Sequence, residues 1–396
     1  MAVSFDSLVG RLRGKTALLV YPYPKLNGAR PPGRALREEF ALLAESCGLL
    51  VVGSYLPGIG RINPATYLGR GQVEKVRRMA EELSAQVVVL AAPITPVHQR
   101  NLEERLGRLV IGRSELIFQV FMDRAHTHEG RVQVELARLR YDLPRISMLI
   151  EEQSRTGGGI GTVGPGQTTV EVLRTRVRRR IRQLENQIEK LRRGRDTRRK
   201  RRVRSALPLA ALVGYTNVGK STLFNRLTSA EVEVDDRYFA TLDPTVRRMG
   251  LPDGRSLLIT DTVGFIHELP EELMDAFRAT LDELSLASFL IVVEDLATEG
   301  WEERLNSVEK VLAELQVDRL PRLLVFNKVD LVDDPLVLAE ARSRYPEALL
   351  VSARTSEGIG ELILRLMEMV DGLAPQRGVS RTGLPSSPDR PPLPAG

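Results

Sequence analysis

At 396 residues the chain is long enough for two or three domains with buried cores. Hydrophobic residues at 42% and charged residues at 27% exclude a chain dominated by disorder or by membrane insertion. The formal charge is +6, but between residues 171 and 204 there are 16 Lys/Arg against four Asp/Glu, so that stretch holds all the excess and the rest is net acidic. Such a localised basic element is the footprint of a phosphate-backbone binder. One cysteine, Cys47, excludes an internal disulfide framework, and four histidines leave little material for a zinc site. The start at Met1 has no basic-then-apolar leader pattern and no apolar run reaches bilayer length. A cytoplasmic protein is expected, with peripheral attachment to a membrane left open.

The first part alternates strand-like runs at 17–21, 49–52, 87–90 and 109–111 with helical periodicities such as Leu36, Phe40, Leu43 and Val73, Val76, Met79, Leu83. Continuous β-branched runs between helices predict a small parallel α/β layer over residues 1–130, with no catalytic constellation of its own. From about Arg131 the period becomes helical, and Pro144 is expected to end or kink that helix. After a glycine-rich segment at 156–168 comes a long helix with apolar residues at Val170, Leu173, Val177, Ile181, Leu184, Ile188 and Leu191. This near-heptad spacing predicts one packing seam, met by the preceding helix in an antiparallel hairpin, with arginines on the other faces. Residues 131–204 form this unit, and 198–204 read as a basic linker.

A second α/β domain is expected over 205–373, with strands at 209–213, 257–260, 289–293, 323–326 and 349–351 and a closing helix at 360–370. The last 23 residues, 374–396, hold six prolines and read as a disordered tail.

Gly214-Tyr215-Thr216-Asn217-Val218-Gly219-Lys220-Ser221 fits G-x-x-x-x-G-K-[ST], after an apolar strand and before a helix start. Glycines let successive N–H groups curl around phosphates, and the helix N-terminus adds its positive end. Lys220 is then placed for the β- and γ-phosphates and Ser221 for Mg²⁺. Asp261-Thr262-Val263-Gly264 follows a strand: its carboxylate can hold the Mg²⁺ shell, and its glycine lets an N–H approach the γ-phosphate. In Asn327-Lys328-Val329-Asp330, Asp330 can accept both N1–H and the 2-amino group of guanine, Lys328 can cover the base and Asn327 can brace the loop. Ser352-Ala353-Arg354 can offer an N–H to the guanine carbonyl. Each short motif alone is weak; four in this order on strand ends predict a GTP/GDP site.

The motif order is that of translation-factor-related GTPases. Phe239-Ala240-Thr241-Leu242-Asp243-Pro244-Thr245 and Asp261-Thr262-Val263-Gly264-Phe265-Ile266 resemble the HflX family closely, as do Glu129-Gly130-Arg131-Val132-Gln133-Val134-Glu135-Leu136-Ala137 and Gly164-Pro165-Gly166 leading into the arginine-rich helix. The resemblance extends to about residue 370. It implies that Thr241 is the switch I threonine closing onto Mg²⁺, and that residues 239–243 join the GTP site. It also implies binding to the large ribosomal subunit and its rRNA, dissociation of stalled or idle ribosomes under stress, and hydrolysis releasing the factor. The chain departs from the family at Gln167 (usually Glu), at Val172-Leu173-Arg174, and in reading Ser-Ala-Arg where Ser-Ala-Lys is commoner; the further C-terminal domain of some members is not expected.

Phe265 stands where Ras-like enzymes keep a water-orienting Gln, so no catalytic side chain is assigned and slow hydrolysis, stimulated by a partner, is expected. In GTPases resembling this one the position of Asn217 can ligate K⁺, and K⁺ stimulation is the corresponding hypothesis. Gly159-Ile160-Gly161-Thr162-Val163-Gly164 matches G-x-G-x-x-G but lacks a leading strand, so a dinucleotide site is not expected; by resemblance it is a hairpin tip among ribosomal RNA. His126 and His128 do not share a helical face, and Cys47 reads as core. A monomer is expected. Three competing readings are a GTP-controlled switch on a protein partner, a ribosome-biogenesis GTPase, and a constitutive RNA binder with vestigial hydrolysis.

Overall fold

The structure is a computed structural model describing residues 12–25, 31–156, 169–204, 207–228, 245–266, 269–274 and 284–373. The glycine-rich tip, residues 239–243 and the proline-rich tail lie outside the described residues.

The chain begins with β1 (Thr16–Val20), β2 (Tyr23–Pro24), α1 (Arg34–Ser46), β3 (Leu50–Tyr55) and β4 (Gly58–Ile59), then α2 (Arg70–Glu82), β5 (Val87–Leu90), α3 (Pro96–Leu106), β6 (Leu109–Gly112) and α4 (Arg113–Arg124). Four of these strands form a parallel sheet in the order β3-β1-β5-β6. The alternation along each strand sorts its side chains by face: Leu18, Val20, Val88 and Leu90 pack with Val73, Val76 and Leu102. Ala17, Leu19, Val87 and Val89 face the other way, onto Phe40, Leu43, Leu116 and Phe118. Cys47 is buried in that second cluster, its thiol directed at Leu116 O.

Two long helices follow, α5 (His128–Thr156) and α6 (Thr169–Arg204). Their seam is built from Val132, Leu136 and Leu139 against Val177 and Leu184, flanked by Leu143, Ile146, Leu173, Ile181 and Ile188. The ion pairs Arg180–Glu135 at 2.7 Å and Arg140–Glu185 at 2.8 Å cross it. Being about two-fifths exposed, they contribute little beyond register.

One expectation is narrowed and another corrected here. Of the two outcomes expected at Pro144, an end or a kink, the end does not occur: the proline sits inside α5. Leu143 and Ile146 on either side of it are both held in the seam, and Arg145 is anchored to Ile94 O at 2.8 Å and to Glu115 at 2.6 Å. This tertiary grip offsets the cost of about 3 kcal/mol that an internal proline carries. Residues 198–204 are not a linker but the last turns of α6. Arg and Lys are good helix formers, and nothing between Gly194 and Arg204 breaks the backbone pattern.

The remaining elements are β7 (Leu209–Gly214), α7 (Lys220–Thr228), β8 (Thr245–Gly250), β9 (Ser256–Asp261), β10 (Phe289–Asp295), α8 (Trp301–Glu314), β11 (Arg322–Asn327), α9 (Pro335–Arg344), β12 (Leu349–Leu350) and α10 (Ile359–Leu373). They build a six-stranded sheet, β12-β11-β10-β7-β9-β8, parallel except for β8. The antiparallel edge strand β8 is not evident from the sequence. Only Met249 of its residues is buried, so Arg247 and Arg248 mask the strand pattern.

Candidate nucleotide site

All six residues of β7 are buried, which fixes where the chain leaves the sheet at Gly214. The loop from 214 to 219 then curls back to start α7 at Lys220. Asn217 and Gly219 both take left-handed backbone angles, φ 61° and 88°. At Gly219 glycine is required twice over, because a Cβ would also run into Asn327 Nδ2.

The Lys220 ammonium donates to Tyr215 O at 2.7 Å and to Gly214 O at 3.2 Å. Two of its three N–H donors are therefore spent on the loop, orienting the third. Burial pulls Lys220 down to about 8, with the Asp261 and Glu294 carboxylates acting against the fall. Ser221 Oγ donates to Asp261 Oδ2 at 2.7 Å, joining the helix start to the end of β9. Just beyond, Thr262 Oγ1 donates to Leu212 O at 2.6 Å. A parallel bridge joins Tyr215 to Phe265, with Thr216 N donating to Phe265 O at 2.7 Å and Phe265 N to Gly214 O at 3.0 Å. Gly264 consequently lies so close that a Cβ would stand 2.8 Å from Lys220 Nζ and 2.9 Å from Thr216 Cα. Val263 and Phe265 are buried in the core cluster, so the Phe265 ring is packing rather than chemistry.

The third motif meets this loop from the side. Asn327 Nδ2 donates to Val218 O at 2.8 Å, while Asn327 Oδ1 accepts from Ala353 N at 2.9 Å. Lys328, at φ 63°, lays its chain across to Asn217 O at 2.7 Å and pairs with Asp295 at 2.8 Å. Val329 and Asp330 form a short 3-10 turn in which Asp330 is exposed. Ser352 Oγ accepts from Thr355 N at 3.0 Å, and Arg226 donates to the carbonyls of Ala353 and Arg354 at 3.1 and 3.0 Å. The structure thus brings together the described members of all four motifs; Phe239, Ala240, Thr241, Leu242 and Asp243 lie outside the described residues.

Three residues near the site were not singled out from the sequence. Asp295 holds Lys328, and its position at the end of the apolar run of β10 was a usable signal. Arg226 ties α7 to the Ser352 loop, and Glu294 lies fully buried behind Lys220. Burial pushes the Glu294 carboxyl up to about 8 against the pull of Arg304.

The donor set fits Mg²⁺: a hydroxyl and a carboxylate, both hard oxygens, already meet at Ser221 and Asp261. Thr216 Oγ1, buried in the loop, has no hydrogen-bond partner among the described residues, as suits a cradle shaped for a polyanion. No group of three His, Cys, Asp or Glu capable of holding a transition metal occurs among the described residues.

A buried parallel sheet that delivers a lysine-bearing loop to a helix start, beside an Asn-Lys-x-Asp turn, defines the class: this is a P-loop GTPase fold. Three family descriptions match consecutive stretches, "GTP-binding GTPase N-terminal" over 35–122, "GTP-binding GTPase Middle Region" over 124–202 and "50S ribosome-binding GTPase" over 209–328. The GTPase HflX of Caldanaerobacter subterraneus subsp. tengcongensis is 40% identical over 333 residues, 84% of this chain and 76% of that protein. The GTPase HflX of Escherichia coli K12 is 38% identical over 355 residues, 87% of this chain and 83% of that protein. The chain belongs to the HflX family of GTPases. Among solved structures, the crystal structure of the SsGBP and GDP complex is similar with a TM-score of 0.51 and 25% identity, covering 91% of this chain and 99% of that one.

Proposed function

We propose that this GTPase binds the large ribosomal subunit and dissociates stalled or idle ribosomes under stress, with GTP hydrolysis releasing it. The observation that carries the reading is the arginine-dense helix α6, whose Arg176, Arg178, Arg179 and Arg182 are exposed while Val177 and Leu184 are held in the seam with α5. Like charges concentrated this way repel one another unless a polyanion neutralises them. The family description "50S ribosome-binding GTPase" over 209–328 agrees with it. In this reading the chain divides into an α/β unit at 1–130, the hairpin at 131–204, the GTPase unit at 205–373 and a tail at 374–396.

Within the site, the loop N–H groups from 214 to 221 and the third N–H of Lys220 take the phosphates. Gly264 lets the backbone reach the γ-phosphate, and Asp330 reads guanine under the Lys328 stem. Ser221 would hold Mg²⁺ with Thr241, next to Asp261, and the ion would neutralise charge on the β- and γ-oxygens. Asn217 is the ligand assigned to K⁺; equal turnover in KCl and NaCl removes that assignment. Phe265 offers no hydrogen bond to water, so hydrolysis is slow until the ribosome orders the site. The setting is the cytoplasm and the working form a monomer. The deciding experiment is co-sedimentation with large subunits, expected with a non-hydrolysable GTP analogue and lost with GDP, together with a GTPase rate raised by those subunits and abolished in Lys220→Ala. Sedimentation indifferent to the nucleotide removes the proposal.

A further inference from the structure

The phosphate loop is bonded to the opposite half of the molecule through one side chain. Tyr215, the second residue of the loop, is 2% exposed, and its hydroxyl donates to Glu39 Oε2 at 2.6 Å. Glu39 stands on α1, 176 positions earlier, and is itself buried. Its other oxygen accepts from Arg113 Nη2 at 2.7 Å, at the first residue of α4. The Arg113 guanidinium lies over the Phe40 ring, 5.6 Å from its centroid, and Arg304 of α8 covers the Tyr215 ring at 5.2 Å. Tyr21 contributes an edge contact to Phe40 on the same side. Burial and the Glu39 carboxylate both raise the Tyr215 hydroxyl well above its ordinary value, so it stays a donor at any working pH.

The backbone of the same residue carries the site. Tyr215 O is the nearer of the two carbonyls that orient Lys220, and Tyr215 bridges to Phe265, next to Gly264. A tyrosine serving only as packing would gain nothing from its hydroxyl over a phenylalanine. A buried Glu–Arg pair also costs desolvation that hydrophobic residues of the same size would avoid. Two costly groups therefore converge on one loop residue.

We propose that Tyr215 is a positioning residue: by anchoring to the Glu39–Arg113 pair it fixes the carbonyl that aims Lys220, so that the grip on nucleotide depends on docking of the amino-terminal α/β layer. The inference rests on the reading of residues 214–221 as the phosphate cradle. Linkage makes the coupling reciprocal, so nucleotide must tighten the docked layer by the same factor.

The test uses the full chain and fluorescent mant-GDP and mant-GTP. Tyr215→Phe is expected to weaken both nucleotides about 5- to 20-fold. In a Glu39→Gln background the same substitution should add less than about two-fold, because the anchor is already altered. Equal losses in the two backgrounds mean a merely structural tyrosine and overturn the proposal. On the wild type, GTP analogue should slow amide hydrogen exchange around Glu39 in α1 and at the start of α4; no slowing also overturns it, whether or not the variants fold. Lys220→Ala separates the two levels. If the wild type binds no better than Lys220→Ala, the cradle reading itself falls; if it binds well and Tyr215→Phe matches it, only this inference falls.

Discussion

The Ala353 N–H donates to Asn327 Oδ1 at 2.9 Å, and through the other end of the same amide Asn327 holds Val218 O at 2.8 Å. One buried side chain thus fixes the spacing between the 214–219 loop, the Asn-Lys-x-Asp turn and the Ser352 loop. Asn327→Ala leaves a buried N–H and a buried carbonyl unpaired, each costing about 1–3 kcal/mol. Guanine nucleotide affinity measured by mant-GDP titration should fall at least about 30-fold. A loss under three-fold would mean the three loops are held by something else.

The proposed guanine reader makes a sharper prediction. Asp330 is exposed at the rim, where its carboxylate can accept two donors from guanine. Asp330→Asn replaces one acceptor with a donor, which mismatches the 2-amino group and matches the 2-oxo group of xanthine. GTPase activity should drop at least about 100-fold with GTP, since a site that pairs with a substrate donor discriminates strongly against a mismatch there. Activity should return with XTP. Turnover of GTP unchanged by the substitution would place guanine recognition elsewhere.

How much of this was legible in the sequence follows from where each residue's partner lies. The parallel strands were readable because buried runs such as 87–90 and 209–213 have only one stable environment. The phosphate loop and the Asn-Lys-x-Asp turn were readable as motifs because each is a contiguous run of residues, whereas the bonds that join them, Asn327 to Val218 O and Lys328 to Asn217 O, span 109 and 111 positions. Strand β8 was not, since an edge strand bears charge on its open side and shows no alternation. At Pro144 the local backbone cost could be read from the sequence, but not the packing of Leu143 and Ile146 that accompanies a helix continuing through it. The bond from Tyr215 to Glu39 was invisible, because neither residue sits in a pattern that names the other.

Glu294 makes stability depend on pH in a direction that can be measured. Burial raises its carboxyl from 4.5 to about 8, so between those values the folded chain keeps a proton that the unfolded chain has released. Its contribution is fully present below about pH 4.5 and is lost as pH rises toward 8. Glu294→Gln, neutral throughout, removes that dependence. Denaturant unfolding should show the variant gaining on the wild type by about 2–4 kcal/mol from pH 5 to 8, since each pH step of one across that window is worth at most about 1.4 kcal/mol for a single proton. Parallel pH profiles for the two proteins would mean that Glu294 is ionised throughout that range.

The charge on α6 sets the last expectation. Arg178, Arg179 and Arg182 are exposed, whereas Arg180 is paired with Glu135 across the seam. Changing the three exposed residues to Gln removes positive charge without touching Val177, Ile181 or Leu184 in the seam. If they neutralise RNA phosphates, the slope of log affinity against log salt for an rRNA fragment should lessen by about 2 to 3, at about 0.7 to 0.9 per contact. Basal GTP hydrolysis and melting temperature should stay near wild type, because neither the cradle nor the seam is altered. A slope that stays put would show these arginines facing solvent rather than nucleic acid, and would leave ribosome contact to some other surface of the chain.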